Sequence, residues 1–295
     1  MKKVIFTGSG VAIVTPMKPD GQVDFEELGR VIEFQIENGT DSIVICGTTG
    51  ESATLKDGEH LECIRCAVET TAGRVPVIAG TGSNDTAHAV EMSREAAALG
   101  ADAVLLVTPY YNKTSQAGLV KHFNTIVDAA GLPAILYNVP SRTGINIQPE
   151  TALELSKNPL ICGIKEASGN ISQIAQMAAL CGDELPLYSG NDDQVVPLLS
   201  LGGKGVISVV ANIDPARMHR MCQLWFEGKT AESARLQLES MGLCKAMFCD
   251  VNPIPVKAAM NMMGWNAGPC RLPLAPLSQE HEAFVKAQLH SAGLL

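Results

Sequence analysis

Eight short apolar runs, spaced by about 30 residues and separated by amphipathic segments, constrain this chain more than any other feature. They are Gly10–Pro16, Ser42–Cys46, Val75–Gly80, Ala103–Asn112, Pro133–Pro140, Leu160–Glu166, Leu185–Gly190 and Gly205–Ser208. Runs that are apolar throughout, rather than alternating, belong to strands buried on both faces, and such strands form parallel sheets covered by helices. Helix signals fill the gaps: Asp24 stands ready to cap Leu28, Val31, Ile32 and Ile36 at helical spacing, with Gly39 beyond, and further helices are expected near 57–72 and 84–99. Eight such units over about 225 residues fit a closed (β/α)8 barrel better than an open doubly wound sheet. After about residue 228 the pattern is helical only, in segments around 230–249, 253–264 and 278–292, with Asn252-Pro253-Ile254-Pro255 as a rigid break. The expected organisation is therefore a catalytic barrel over 1–228 and a small α-helical domain over 229–295.

Composition narrows the function classes. A net charge of −9 disfavours nucleic acid and anionic membrane as the main partner. The apolar part of Met1–Gly8 is too short for a signal peptide, and no run reaches transmembrane length, so the cytoplasm is the expected location. Nine cysteines lie scattered, mostly in apolar stretches where cysteine acts as a small hydrophobe. The single C-x-x-C, Cys63 to Cys66, falls within a helical pattern and has no second pair, so no metal is expected. There is no G-x-G-x-x-G, Walker loop or G-x-S-x-G to support a nucleotide or serine-hydrolase reading.

In a barrel of this type the active site forms at the carboxyl ends of the strands. Lys165 ends the sixth run, where burial would lower its amine pKa and leave it a nucleophile suited to a Schiff base. A strand-end lysine that simply reaches solvent is the plain alternative. Thr48 and Thr49 follow the second run, Tyr110, Tyr111 and Asn112 the fourth, and Tyr137 the fifth, with Arg142 just beyond. Tyr188 lies close to another such end, so all four tyrosines gather there. Each alone could be an amphipathic packing residue. Together with Lys165 they suggest proton transfer and substrate anchoring. The Gly-flanked threonine pair offers hydroxyls and backbone N–H groups to a small anion, and a carboxylate beside an amine suits a 2-oxo acid. Gly202-Gly203-Lys204-Gly205 precedes the eighth strand, on the opposite face, and reads as a tight turn.

Gly47-Thr48-Thr49-Gly50-Glu51, Pro109-Tyr110-Tyr111-Asn112, Tyr137 to Gly144 and Gly163-Ile164-Lys165-Glu166 together resemble the dihydrodipicolinate synthases. The likeness runs along the whole chain, including Asn252 to Lys257 and the closing Ala292-Gly293-Leu294-Leu295. The wider class of pyruvate-dependent class I aldolases, such as N-acetylneuraminate lyase, shares the threonine, tyrosine and lysine motifs. Tyr-Tyr-Asn at 110–112 with Ser-Arg-Thr-Gly at 141–144 selects the synthases.

This resemblance implies a lyase of the diaminopimelate route to lysine, condensing pyruvate with L-aspartate 4-semialdehyde without any cofactor. Lys165 would form the imine and Tyr137 would move protons beside it. Thr49 would link Tyr137 to Tyr111, which in the family crosses from a neighbouring subunit. Thr48 and Thr49 would hold the pyruvate carboxylate, Arg142 the semialdehyde carboxylate, and the Gly190 and Ile207 backbones would line the pocket. A homotetramer built as a dimer of dimers is implied. So is an allosteric pocket for L-lysine, matched by Ser52, Ala53, His60, Asn84 and Tyr110. There, Asp57 stands where histidine is usual and His88 where glutamate is usual, which puts lysine sensitivity in doubt. A 2-keto-3-deoxy sugar acid aldolase would share Lys165 and Tyr137 but would want another group at Arg142. A non-catalytic sensor would be expected to lack Lys165 or Tyr137.

Overall fold

The computed structural model describes residues 2–295. In chain order the elements are β1 (Gly8–Ala12), α1 (Phe25–Glu37), β2 (Ser42–Ile45), α2 (Asp57–Thr71), β3 (Val77–Gly80), α3 (Thr86–Ala98), β4 (Ala103–Val107) and α4 (Gln116–Ala130). They continue as β5 (Ala134–Asn138), α5 (Pro140–Thr143), α6 (Pro149–Ser156), β6 (Ile161–Glu166), α7 (Ile171–Cys181), β7 (Leu187–Ser189), α8 (Val195–Leu199), β8 (Gly205–Ser208) and α9 (Pro215–Phe226). Then come α10 (Thr230–Glu239), α11 (Met241–Met247), α12 (Ile254–Met262) and α13 (Gln279–Ser291). All strand pairings are parallel, and β8 closes on β1 with Gly8 opposite Gly205 and Val11 opposite Ser208. The chain is a closed (β/α)8 barrel followed by helices. None of the helices among the described residues is long and apolar enough to cross a membrane.

Two apolar layers hold the barrel. Between sheet and helices lie side chains such as Val11, Ile43, Ile45, Leu106, Leu136 and Ile164. Inside the barrel lie Ala12, Val44, Ile78, Leu105, Ile135, Tyr137 and Ile207, as strand alternation requires. Asp24 caps α1 through Glu27 N, as its position in the sequence suggests. Lys204 donates its N–H to Leu187 O, so the glycine run around it is a turn at the amino-terminal end of the barrel.

Some elements differ from expectation. The first strand occupies Gly8–Ala12, two residues earlier than its apolar run. Ile13 N still reaches Val44 O of β2, but Val14 N donates to Asn212 Oδ1, and the Thr15 hydroxyl donates to Gly50 O. The fourth strand stops at Val107, and Thr108 N makes a last bond to β5 at Tyr137 O. The helix expected over 230–249 breaks at Ser240, whose hydroxyl bonds back to Leu236 O at 2.7 Å and competes with helix continuation. Tyr188 stands level with Lys165 in the β6–β7 register, but its side chain runs toward the opposite end of the barrel. Its ring stacks on Phe6 with centroids 4.5 Å apart, and its hydroxyl donates to Phe6 O at 2.8 Å. Phe6 precedes β1, so this pair seals the amino-terminal floor of the barrel.

The C-terminal helices are tied to the barrel by a buried ion pair. Lys257 of α12 reaches Glu51 Oε1 at 2.8 Å, with both side chains nearly inaccessible (2% and 1%). Its other protons go to Thr15 O and Pro269 O, while Glu51 Oε2 accepts from Arg271 N. Arg271 then pairs with Glu59 of α2 and donates to Gly21 O and Thr54 O. Breaking one side of such a pair leaves an uncompensated buried charge. Lys257→Met is expected to cost about 3–5 kcal/mol, read as a lower urea midpoint by circular dichroism, and adding Glu51→Gln should recover much of the loss. Equal stability of Lys257→Met and the parent would show that the pair contributes nothing.

Candidate active site

Strand β6, Ile161–Glu166, is buried along its whole length, and alternation sends Lys165 into the barrel while Glu166 faces the other way. Glu166 is held there by Asn138 Nδ2 at 2.9 Å and Ser168 N at 2.7 Å. Burial raises its carboxyl pKa, and these donors work against that rise. In the β5–β6 register Tyr137 stands directly opposite Lys165. The consequence is a Lys165 Nζ only 4.3 Å from the Tyr137 ring centroid. Lys165 is 5% exposed. Desolvation, helped by the charge of Arg142 and opposed by Asp192, brings its amine down to about 8. Neutral amine is then a substantial fraction near neutral pH. Burial pushes the Tyr137 phenol up, against the pull of Arg142 and the Thr48 hydroxyl.

The surrounding groups come from loops at the same rim. Gly190 follows β7, and its N–H donates to Glu166 O at 2.8 Å. A Cβ there would come within 2.7 Å of Ala167 Cβ and 3.2 Å of Lys165 Cε, so a side chain would displace the lysine. Ile207 of β8 packs in the interior layer with Tyr137 and Val139. Among the described residues, the backbone N–H groups of Thr48 and Thr49 donate to no acceptor within the chain. Arg142 lies in the single turn α5 just beyond Tyr137 and donates to Asn252 O at 3.2 Å.

The two threonines divide their hydroxyls differently from the expected relay. Thr48 is the hydroxyl beside Tyr137. Thr49 Oγ1 instead accepts from Asn252 Nδ2 at 2.9 Å, in a buried contact with the C-terminal segment. Tyr111 stands apart from Lys165 in this chain, 92% exposed and with a left-handed backbone (φ 70°). Such a conformation is costly for an aromatic residue.

A cleft of about 350 Å³ runs from Thr48, Arg142 and Asn252 to Ser52, Ala53, Asp57, His60, His88 and Tyr110. His60 is buried and donates Nε2–H to Gly80 O at 2.8 Å, and desolvation lowers its pKa. Asn84 Nδ2 bonds Tyr110 O at the edge of this region. The two unusual residues are partners: His88 Nε2 lies 3.1 Å from Asp57 Oδ1, and its Nδ1 lies 3.3 Å from Ser83 Oγ.

Asn252 and Asp192 escaped the sequence reading. Asn252 lay in a stretch whose prolines read only as a break. Asp192 lay just past the seventh strand, and strand-end position was a signal available there too.

Against this geometry the comparisons with known proteins are clear. Residues 5–292 match the Dihydrodipicolinate synthetase family. The chain is 56% identical over 290 residues to the 4-hydroxy-tetrahydrodipicolinate synthase of Caldicellulosiruptor saccharolyticus, covering 98% of each protein. It superposes at TM-score 0.96 on the dihydrodipicolinate synthase of Cyanidioschyzon merolae with lysine bound, at 42% identity over 99% of this chain and 100% of that one. The chloride-inhibited enzyme of Acinetobacter baumannii complexed with pyruvate matches at TM-score 0.96 and 43% identity, over 98% and 99%. With strand order, site lysine and full-length similarity in agreement, this chain belongs to the dihydrodipicolinate synthetase family.

Proposed function

We propose that this chain is a 4-hydroxy-tetrahydrodipicolinate synthase, condensing pyruvate with L-aspartate 4-semialdehyde through an imine on Lys165. The observation that carries the mechanism is the buried Lys165 amine, lowered to about 8 and facing the Tyr137 ring. The neutral amine adds to the pyruvate ketone. One amine proton stays on nitrogen, and the other, with one delivered by way of Tyr137, leaves with the ketone oxygen as water. The resulting iminium is the electron sink for loss of a methyl proton, and the enamine carbon then adds to the aldehyde. Ring closure by the adduct's amino group releases Lys165.

The other roles follow from position. Thr48 is the hydroxyl that passes a proton to and from Tyr137, and Thr49 fixes the turn through Asn252. The unpaired N–H groups of both threonines take the pyruvate carboxylate. The Gly190 and Ile207 backbones form the wall behind it. Arg142, at the cleft mouth, takes the semialdehyde carboxylate, which its planar fork suits. Tyr111 is the proton exit donated to a neighbouring subunit in a tetramer made of two dimers, and its exposure and left-handed backbone support a role outside its own chain. In the pocket of Ser52, Ala53, Asp57, His60, Asn84, His88 and Tyr110, the Asp57–His88 pair leaves L-lysine weakly held. Glu51, the other carboxylate lining the cleft, is held by Lys257, so the ligand's ammonium must compete with the histidine for Asp57.

Incubation with pyruvate and borohydride should add one reduced pyruvate unit, mapped to Lys165 by peptide mass spectrometry. An unmodified Lys165 under turnover conditions would contradict the mechanism. Because the neutral amine attacks, kcat/KM for pyruvate should rise with pH through about 8 and level off above it.

Tyr137→Phe keeps the ring and removes the proton. Its kcat should fall roughly 10²-fold or more, the scale of a lost general acid–base group. Retention of most of the activity would remove Tyr137 from the proton path.

For L-lysine, loss of a charge-assisted contact costs about 1.5–3 kcal/mol, roughly tenfold to a hundredfold in affinity. Initial rates at subsaturating pyruvate should show half-inhibition only above about a millimolar, and His88→Glu should lower it. Strong inhibition of the parent enzyme at micromolar lysine would refute this.

A further inference from the structure

Asp192 is a buried carboxyl that the proposed reaction leaves unused. It lies three residues past the end of β7, on the rim that carries Lys165 on β6, and is 2% exposed. Its Oδ2 accepts the backbone N–H groups of Val209 at 3.0 Å and Val210 at 3.1 Å, where the chain leaves β8. Burial pushes its carboxyl pKa up, and the Ser208 hydroxyl, the Val210 and Val209 N–H groups and the Lys165 charge all act against that rise and favour the carboxylate. Its backbone carbonyl is clamped by Gln237 Nε2 of α10 at 2.9 Å. Its Oδ1 is buried and has no partner among the described residues. A turn cap needs only one oxygen. A buried carboxylate oxygen without a donor is costly unless a cation serves it.

The cation available is the nitrogen of Lys165. Gly190, two residues before Asp192, packs against Lys165 Cε, so the loop carrying Asp192 lies against the lysine side chain. We propose that the Asp192 carboxylate is the counter-charge for the cation on the Lys165 nitrogen, ammonium in the free enzyme and iminium during turnover. This rests on the imine reading given above. Asp192 makes no direct ion pair with Lys165 and acts on the nitrogen's charge through space, so it is a positioning residue.

The other groups around the pair do not substitute for it. Arg142 is positive and opposes the cation. Tyr137 on β5 stays a neutral phenol, because burial pushes its pKa up. Tyr188, beside Lys165 in the β6–β7 register, is spent on Phe6 O and is likewise pushed up. Glu166 points out of the barrel into the Asn138–Ser168 contacts. Cys222 of α9 and Cys244 of α11 feel Asp192, and burial keeps both thiols protonated. Asp193, the neighbour in sequence, acts with Asp192 on the Cys244 thiol.

Without the carboxylate, burial and Arg142 act on the amine alone. More of it is neutral at low pH, but the iminium loses its stabilising charge. Asp192→Asn keeps an acceptor for Val209 and Val210 and removes the charge. The pH midpoint of pyruvate–borohydride trapping on Lys165 should then move down by about half a unit or more. In the same variant kcat should fall about tenfold. A purely structural role moves neither midpoint nor kcat in a folded variant, so an unchanged midpoint in folded Asp192→Asn overturns the inference. Wild-type enzyme gives a second reading that does not depend on folding of the variant. With [2-¹³C]pyruvate, carbon NMR should show the imine still protonated well into the alkaline range, and loss of that proton near neutral pH also overturns the inference. Absence of any pyruvate trapped on wild-type Lys165 would instead refute the imine reading itself.

Discussion

The Glu51–Lys257 ion pair fixes the loop on which the proposed chemistry depends. Glu51 sits in the left-handed region (φ 56°), two residues after Thr49. That backbone costs energy for a residue with a Cβ and persists only where the surroundings determine it. Here both carboxylate oxygens are bound, one by Lys257 and the other by the Arg271 backbone. Asn252, five residues before Lys257, reaches Thr49 from the same segment. The C-terminal segment therefore grips the threonine turn at two points. A buried pair is weak evidence for stability as such, since an apolar pair of equal volume would serve. What it supplies in this loop is register: the threonines can occupy one place only.

The barrel contributes the complementary constraint. Side chains opposite one another on adjacent parallel strands share a face, so placing Lys165 opposite Tyr137 needs no further device once β5 and β6 pair. The amine is desolvated by the interior layer and the phenol by the same layer, so both shifts have one cause. The Phe6–Tyr188 pair closes the far end of that layer. Glycine at 190 is then required, because the lysine side chain occupies the space a Cβ would fill.

Much of this was legible in the sequence, and for a physical reason. Strands buried on both faces leave an apolar run that composition alone reveals, and a lysine at the end of one stands out. Counting eight such runs identified the barrel, and reading their ends brought together Lys165, Tyr137, Thr48 and Arg142. What could not be read were choices made by contacts distant in sequence. The first strand ends before Val14 because Asn212, 198 residues away, takes that residue's backbone N–H. Tyr188 looked catalytic by its position along the chain, yet its partner Phe6 is 182 residues away. Which of two adjacent threonines faces Tyr137 was decided by Asn252, 203 residues from Thr49. Local pattern carries no information about partners at such separations.

The same limit applies to the pair Asp57 and His88. Each looks like an isolated departure in the sequence, 31 residues apart, and each alone suggests a weakened amino-acid pocket. The structure shows them 3.1 Å from one another. A carboxylate displaced from one position and a base placed at another preserve the pocket's polar balance without a ligand, because each satisfies the other. With side chains 68% and 41% exposed, the pair is worth little to stability. For the L-lysine binding proposed above, an incoming ammonium would meet a carboxylate already engaged, and a histidine proton that repels it whenever the ring is charged. The two departures therefore act as one.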